Sequence, residues 1–342
     1  MTGDPGDTRP TRVTPPAPPR GAGRFAPTPT GHLHLGNART ALLAWLWARR
    51  EGLRIVLRVE DLDPAAIPPG VLDGQYRDLA WLGLEWDEGP REGGPAGPYR
   101  QSERFDRYVP ALQALDRLGL LYPCWCSRRE VMQASRAPHA ADDAAVYPGT
   151  CRPGRPAPLG DLDALPERNG RRPALRLDLA RALAIAGADG IAHDDRVAGP
   201  MRPDPATLGD FVVRRADGVA AYQVACAWDD DAMGCTQVLR GADLLPSTAR
   251  QALLLRLWGR ALPAYAHPGL VVDAAGNRLA KRDGAIALAG LRDAGVAPDA
   301  VRRLLARISG LPDTGDLDAL AGAFDVARLD AGPVRLPDRY NW

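Results

Sequence analysis

Lysine is all but missing from this chain. Of its 342 residues, 43 are lysine or arginine, and a single one of these, Lys281, is lysine. Arginine is a planar fork and lysine a compact, mobile point charge, so a lone lysine marks a place where a swinging loop could grip a phosphate transiently. Long apolar runs are missing too. No stretch reaches the roughly 20 residues a membrane-spanning helix needs, which argues against insertion in a membrane. Residues 1–20 lack the apolar centre of a secretion signal, and Asp4 and Asp7 dilute the arginines a transit peptide would carry; proline-rich, they read as a disordered leader on a cytoplasmic protein. The net charge of +1 gives no uniformly basic surface. Nucleic acid must then be met by local patches, with Arg168, Arg171, Arg172 and Arg176, or Arg302, Arg303 and Arg307, as candidates.

Cysteine is scarce and odd in number. Five residues and no export signal argue against a disulfide framework. Cys124, Cys126 and Cys151 instead form a cluster whose thiolates suit zinc, and a structural zinc site wants a fourth ligand. His139, the commoner ligand type, lies between them. Cys226 and Cys235 are assigned to packing.

What is present reads as an α/β chain with a sizeable core, 45% of it hydrophobic. Gly23 to Ala26 predicts a strand, the turn-rich 27–31 follows, and a helix runs from about Asn37 to Arg50. Residues 53–59 alternate Leu53, Ile55, Leu57 and Val59 against Arg54, Val56 and Arg58, predicting a second strand that delivers Glu60, Asp61 and Asp63 at its end. Such a β-α-β unit binds ligands at its carboxyl edge. Helices are predicted at about 70–83 and 102–119, and an insertion at 121–210. Strand-like 211–213 and Tyr222 to Trp228 read as a return to the sheet. A helix over 247–258, a strand over 269–272 and a helical C-terminal region, with Val301, Leu304, Leu305 and Ile308 on one face, complete the pattern.

The segment from Arg24 to Asn37 places His32, His34, Gly31 and Gly36 between a strand and a helix start, a turn suited to phosphate. It closely resembles the adenylate-forming signature of class I aminoacyl-tRNA synthetases, whose "HIGH" tetrad falls on His34-Leu35-Gly36-Asn37. Their second signature, a mobile loop of the Lys-Met-Ser-Lys-Ser type, falls on Arg278-Leu279-Ala280-Lys281-Arg282. There Lys281 matches the phosphate-binding lysine, while Arg278 and Ala280 depart from the pattern. The resemblance covers roughly residues 21–290. It implies a Rossmann-like nucleotide-binding fold with an inserted zinc-bearing subdomain and a C-terminal helical, stem-contact-like region. The implied units are 21–120 and 211–265 as catalytic halves, 121–210 as the insert, and 266–342 as the signature loop and helical end. It also implies ATP bound by Thr30, Gly31, His34, Gly36, Asn37 and Lys281, with His34 and Lys281 catalytic and Mg2+ as charge partner.

Within the class the chain resembles the glutamyl-type enzymes. Their amino-acid pocket matches Arg24, Glu60, Tyr222 and Arg240, with Phe25, Ala26, Pro27 and Thr28 completing the binding segment. Charge agrees: glutamate offers an ammonium and two carboxylates, so its pocket needs an acid and at least one guanidinium. The cysteine cluster with Tyr147 resembles the Cys-x-Cys…Tyr-x-x-x-Cys zinc site of glutamyl-queuosine enzymes and of some glutamyl-tRNA synthetases, which makes Tyr147 the implied fourth ligand and His139 its rival. Three details favour the glutamyl-queuosine branch: no room for an anticodon-binding domain, Cys226 in place of an asparagine, and Gly241-Ala242-Asp243 after Arg240. The stretch 93–99 looks more like the tRNA(Glu) enzymes. The implied partners are L-glutamate, ATP and the queuosine-bearing anticodon loop of tRNA(Asp), for a monomer. The rivals are a shortened glutamyl-tRNA synthetase charging tRNA(Glu), and a non-catalytic, zinc-stabilised RNA-binding protein.

Overall fold

The computed structural model describes residues 21–134, 146–154, 157–273, 276–277 and 287–337. The leader 1–20, His139, and the signature segment with Arg278, Ala280 and Lys281 lie outside the described residues. Strand β1 (Ala22–Phe25) leads through a glycine- and proline-rich turn into helix α1 (Leu35–Arg50), which returns to strand β2 (Arg54–Leu57), parallel to β1. Gly23 is what lets α1 lie close on β1, because a Cβ there would sit 2.8 Å from the Ala48 methyl carbon. Ten of the residues of α1, among them Leu42, Leu43, Leu46 and Trp47, are buried, since helices cover the side that the sheet leaves open. Arg49 and Arg50 close its last turn, where positive charge offsets the helix dipole.

After β2 come helices α2 (Val71–Trp81) and α3 (Phe105–Arg117). The chain then supplies β3 (Leu121–Cys124), α4 (Arg128–Ala134), β4 (Ala174–Leu177), α5 (Leu179–Ala186), β5 (His193–Asp195), β6 (Gly199–Met201), α6 (Pro205–Leu208) and β7 (Val212–Arg214); β5 and β6, expected within the insert 121–210, join the main sheet instead. Next are α7 (Tyr222–Ala232), β8 (Gln237–Leu239), α8 (Leu245–Leu257) and β9 (Ala264–Ala266). Strand β8 pairs in parallel with β9, β9 with β5, and β5 antiparallel with β6. A parallel bridge from Ala22 to Cys235, with Thr236 N donating to Ala22 O at 2.8 Å, sets β1 beside β8. The spatial order is therefore β2-β1-β8-β9-β5-β6. The chain leaves β1 toward β2 on one side and reaches β8 on the other, so the topological switch point falls between β1 and β8. Ligands of open α/β sheets bind in that crevice, at the carboxyl ends of the strands.

Two further elements differ from the sequence reading. Strand β7 does not return to this sheet; it joins the antiparallel sheet β3-β4-β7, where Val213 packs into the same core as Leu175 and Leu177. Residues 222–228 are helix α7, not strand. Val224 to Trp228 are buried on every side between α3, α8 and β7, so no polar stripe marks the helical period, and a short apolar run cannot be told from a strand by periodicity. The C-terminal part holds β10 (Val271–Val272), α9 (Leu288–Asp293), α10 (Pro298–Arg307), α11 (Leu317–Ala323) and β11 (Val334–Arg335), with β10 and β11 parallel. Val301, Leu304 and Leu305 of α10 and Leu320 of α11 pack on α1 in one core. Buried Arg39 ties these parts together, donating to Ser309 Oγ and to Gly269 O, each at 2.8 Å. Among the described residues no helix is long and apolar enough to cross a membrane.

Candidate active site

The signature turn is organised by His34. Its ring folds back as the cap of α1, with Nδ1 accepting from Gly36 N at 3.1 Å and Asn37 N at 3.4 Å, while the Asn37 side chain accepts from His34 N. Gly36 has to be glycine, because a Cβ would lie 2.9 Å from His34 Cε1. With Nδ1 accepting, the ring proton sits on Nε2. The first amides of α1 thus act through the imidazole, presenting the positive end of the helix as one N–H donor. The stretch before it runs beside the end of β2: Arg58 N donates to Phe25 O and Glu60 N to Pro27 O, both at 3.0 Å. Ala26 lies between them, Thr30 N bonds Thr28 O at 2.9 Å, and Gln75 Nε2 holds Gly31 O at 2.7 Å. On the far side, Leu288 N donates to Leu33 O and Ala287 bridges His34. The chain that follows the signature segment thereby re-enters the described structure against the start of α1.

At the switch point the sequence-predicted pocket residues converge. Arg24, the penultimate residue of β1, donates from Nε to Asp230 Oδ1 at 3.3 Å and from Nη1 to Leu239 O at 3.2 Å. Glu60, just past β2, accepts from Arg58 Nη2 at 2.9 Å, and Arg58 Nη1 donates to Asp230 Oδ1 at 2.6 Å. Arg240, just past β8, donates from Nη2 to Thr248 Oγ1 at 2.8 Å and Gln251 Oε1 at 2.7 Å. Tyr222, at the start of α7, is partly exposed, and Cys226 one turn further is buried, its sulfur 3.5 Å from Arg58 Nη2. Burial drives the Cys226 thiol up to about 12, with Asp230 and Glu60 adding, and keeps the Tyr222 phenol protonated. Burial opposes the ionised Asp230 carboxyl, but Arg58 and Arg24 outweigh it and hold the group below its ordinary range. Arg24, Arg58 and Arg240 thus share this buried crevice with the carboxyl groups of Glu60 and Asp230.

Arg58, Asp230 and the His267 and Asp195 pair behind Arg240 escaped the sequence reading as site residues. Strand alternation put Arg58 on the polar face, yet it is fully buried. An arginine flanked by Leu57 and Val59, two residues before Glu60, was the available signal.

The second cluster lies at the end of β3 and in the segment that leads to β4. The sulfurs of Cys124, Cys126 and Cys151 lie within 4.8 Å of one another. Cys126 and Cys151 sulfurs are 3.6 Å apart, and Tyr147 Oη is 3.4 Å from Cys124 Sγ and 3.7 Å from Cys126 Sγ. Tetrahedral zinc with Zn–S bonds of about 2.3 Å requires sulfur–sulfur edges of about 3.8 Å and oxygen–sulfur edges of about 3.5 Å, so this donor set fits the ion. The Arg176 guanidinium lies 3.8 Å over the Tyr147 ring and donates to Cys124 Sγ at 3.3 Å, offsetting negative charge on the donors. Between this cluster and Tyr222 runs a cleft of about 1390 Å³, lined in part by Arg128, Arg176, Arg202 and Arg250. Of the predicted basic patches, Arg171 pairs with Glu130 and Arg172 with Glu167 at the surface, and Arg302 is committed to the carbonyls of Gly315 and Leu82.

This fold, with its crevice between β1 and β8 and its histidine-capped helix, agrees with a family match over residues 22–320: the chain belongs to the class I tRNA synthetases (E and Q), catalytic domain. It is 50% identical over 319 residues to the Glutamyl-Q tRNA(Asp) synthetase of Symbiobacterium thermophilum, covering 92% of this chain and 95% of that protein. It is 43% identical to Glutamate–tRNA ligase 1 of Halorhodospira halophila, where 92% of this chain matches 65% of the longer protein. Among solved structures, the glutamate-tRNA synthetase of Elizabethkingia anophelis superposes with a TM-score of 0.77 at 29% identity, over 93% of this chain and 68% of that one.

Proposed function

We propose that this chain is an ATP-dependent ligase that activates L-glutamate as glutamyl-adenylate and transfers the glutamyl group to the queuosine base at the wobble position of tRNA(Asp). The observation that carries the first half is the buried pocket at the switch point, where Arg24, Glu60 and Arg240 converge, guanidiniums for two carboxylates and an acid for an ammonium. The second half is supported by relatives of that name, similar over nearly their whole length.

Glutamate's α-carboxylate attacks the α-phosphorus of ATP in line; the bond to pyrophosphate breaks and the mixed anhydride forms. Glu60 receives the ammonium, while Arg24 and Arg240 receive carboxylates. His34 Nε2–H donates to phosphate oxygens as negative charge builds, with the amides of Gly36 and Asn37 acting through the imidazole and Thr30 and Gly31 beside it, and Lys281 would grip the departing phosphates. Mg2+ bound to ATP would supply further charge neutralisation there. A hydroxyl of the queuosine cyclopentenediol then attacks the activated carbonyl and AMP leaves. The arginine-lined cleft between the metal cluster and Tyr222 suits an anticodon loop with splayed bases. Zinc held by Cys124, Cys126, Cys151 and Tyr147 would stiffen that wall. Cytoplasmic location and a monomeric state belong to the same proposal.

Exchange of label between pyrophosphate and ATP tests the first half. Glutamate should support it and glutamine should not, because a neutral amide leaves a buried guanidinium unpaired. Equal exchange with both would defeat the pocket assignment. The second reading, charging of tRNA(Glu), is favoured by the match to the glutamate–tRNA ligases and is separated from the first by the acceptor that takes the label.

A further inference from the structure

Across the carboxyl edges of three adjacent strands, β5, β9 and β8, run three side chains in contact. Asp195 closes β5, His267 follows β9 and Arg240 follows β8. Asp195 Oδ2 meets His267 Nδ1 at 2.5 Å, and Arg240 Nε donates to His267 Nε2 at 3.1 Å. All three are buried, none more than 5% exposed. The hydrogen bonds leave one arrangement of protons. Arg240 Nε–H is a donor only, so His267 Nε2 must be the acceptor, and His267 Nδ1–H must then donate to the Asp195 carboxylate. That carboxylate is itself fixed by the amides of Val197 at 2.9 Å, Ala198 at 2.8 Å and His267 at 3.2 Å. With Nε taken by His267 and Nη2 by Thr248 and Gln251, the guanidinium cannot rotate. Its Nη1 meets only the Cys226 sulfur, at 3.9 Å, among the described residues, on the side where Arg58 and Glu60 also lie.

We infer that His267, oriented by Asp195, is a positioning residue that fixes the Arg240 guanidinium so that its Nη1 edge is aimed at a carboxylate of the amino-acid substrate. An imidazolium could not do this, since it has no lone pair for Arg240. Burial agrees, lowering the His267 imidazole to about 4, with Arg240 adding to the effect against the pull of Asp195. The inference rests on the reading that Arg240 binds glutamate.

The test is ATP–pyrophosphate exchange with glutamate and ATP varied separately. Replacing His267→Ala should raise KM for glutamate 10- to 100-fold and leave KM for ATP within two-fold. In an Arg240→Ala background the same change should have no further effect, because a residue that acts through Arg240 has nothing left to position. Asp195→Asn, which keeps the side-chain size, should raise KM for glutamate 3- to 10-fold, and it decides the matter if His267→Ala does not fold. Independent, multiplying effects of His267→Ala and Arg240→Ala, or an unchanged KM for glutamate in Asp195→Asn, would overturn the inference. If Arg240→Ala itself leaves KM for glutamate unchanged, the reading of the pocket fails first. If Arg240→Ala raises it and His267→Ala does not, only the positioning role fails.

Discussion

Asp230 holds the centre of the pocket, and it acts on two guanidiniums at once. Arg24 and Arg58 both donate to its Oδ1, and neither has a route to water. Removing one member of a buried ion network strands the others, at a cost of roughly 3–5 kcal/mol. Asp230→Ala should therefore lose stability of that order in urea unfolding, with glutamate-dependent exchange lost as well; wild-type stability would show that the network is not buried as described. The sequence exposed those residues that share a motif with neighbours: Arg24 and His34 in one segment, Glu60 at a strand end, and Arg240 before Gly241. It concealed Arg58, Asp230 and His267, because their meaning lies in partners 172 and 27 residues away, which no local pattern encodes.

At the scale of elements, the β-α-β unit was legible because its strands alternate and its helix is long. The contact that seals it is a single hydrogen in place of a side chain. Gly23→Val would push α1 off β1 against Ala48, and overpacking of this kind costs about 1–3 kcal/mol. The predicted outcome is a lower melting temperature together with a raised KM for ATP, since His34 rides on α1; an unchanged melting temperature would contradict the close packing. Helix α7 was not legible. Its buried flanks erase the amphipathic signal, and only the alanines at 225 and 227 hinted at helix over strand. Strand β7 was seen as a strand, but its sheet was not, since the inward set Phe211 and Val213 fits any apolar core.

The molecule as a whole should respond to metal and to pH in separable ways. If zinc binds the three cysteines and Tyr147, chelation or Cys126→Ser should lower the melting temperature while exchange of ATP and pyrophosphate persists at near wild-type rate, because the cluster lies outside the pocket proposed for glutamate; no bound zinc by elemental assay would refute the site. For pH, the His267 imidazole is lowered from its ordinary 6.5 to about 4, and burial lowers His193 in the same direction. Below pH 6.5 the unfolded chain takes up protons that the folded chain refuses, so stability is level above that pH and falls between pH 6.5 and 4. His267→Gln should flatten this decline in urea titrations at several pH values. A decline of the same slope in the variant would assign it to other groups.

The central claim concerns the acceptor. Labelled glutamate, with ATP and Mg2+, is offered in parallel to queuosine-containing tRNA(Asp), to the same tRNA lacking queuosine, and to tRNA(Glu). The account predicts label on the queuosine-containing tRNA(Asp) alone. Label on tRNA(Glu) instead would contradict it, and would make this chain a synthetase that charges the acceptor end.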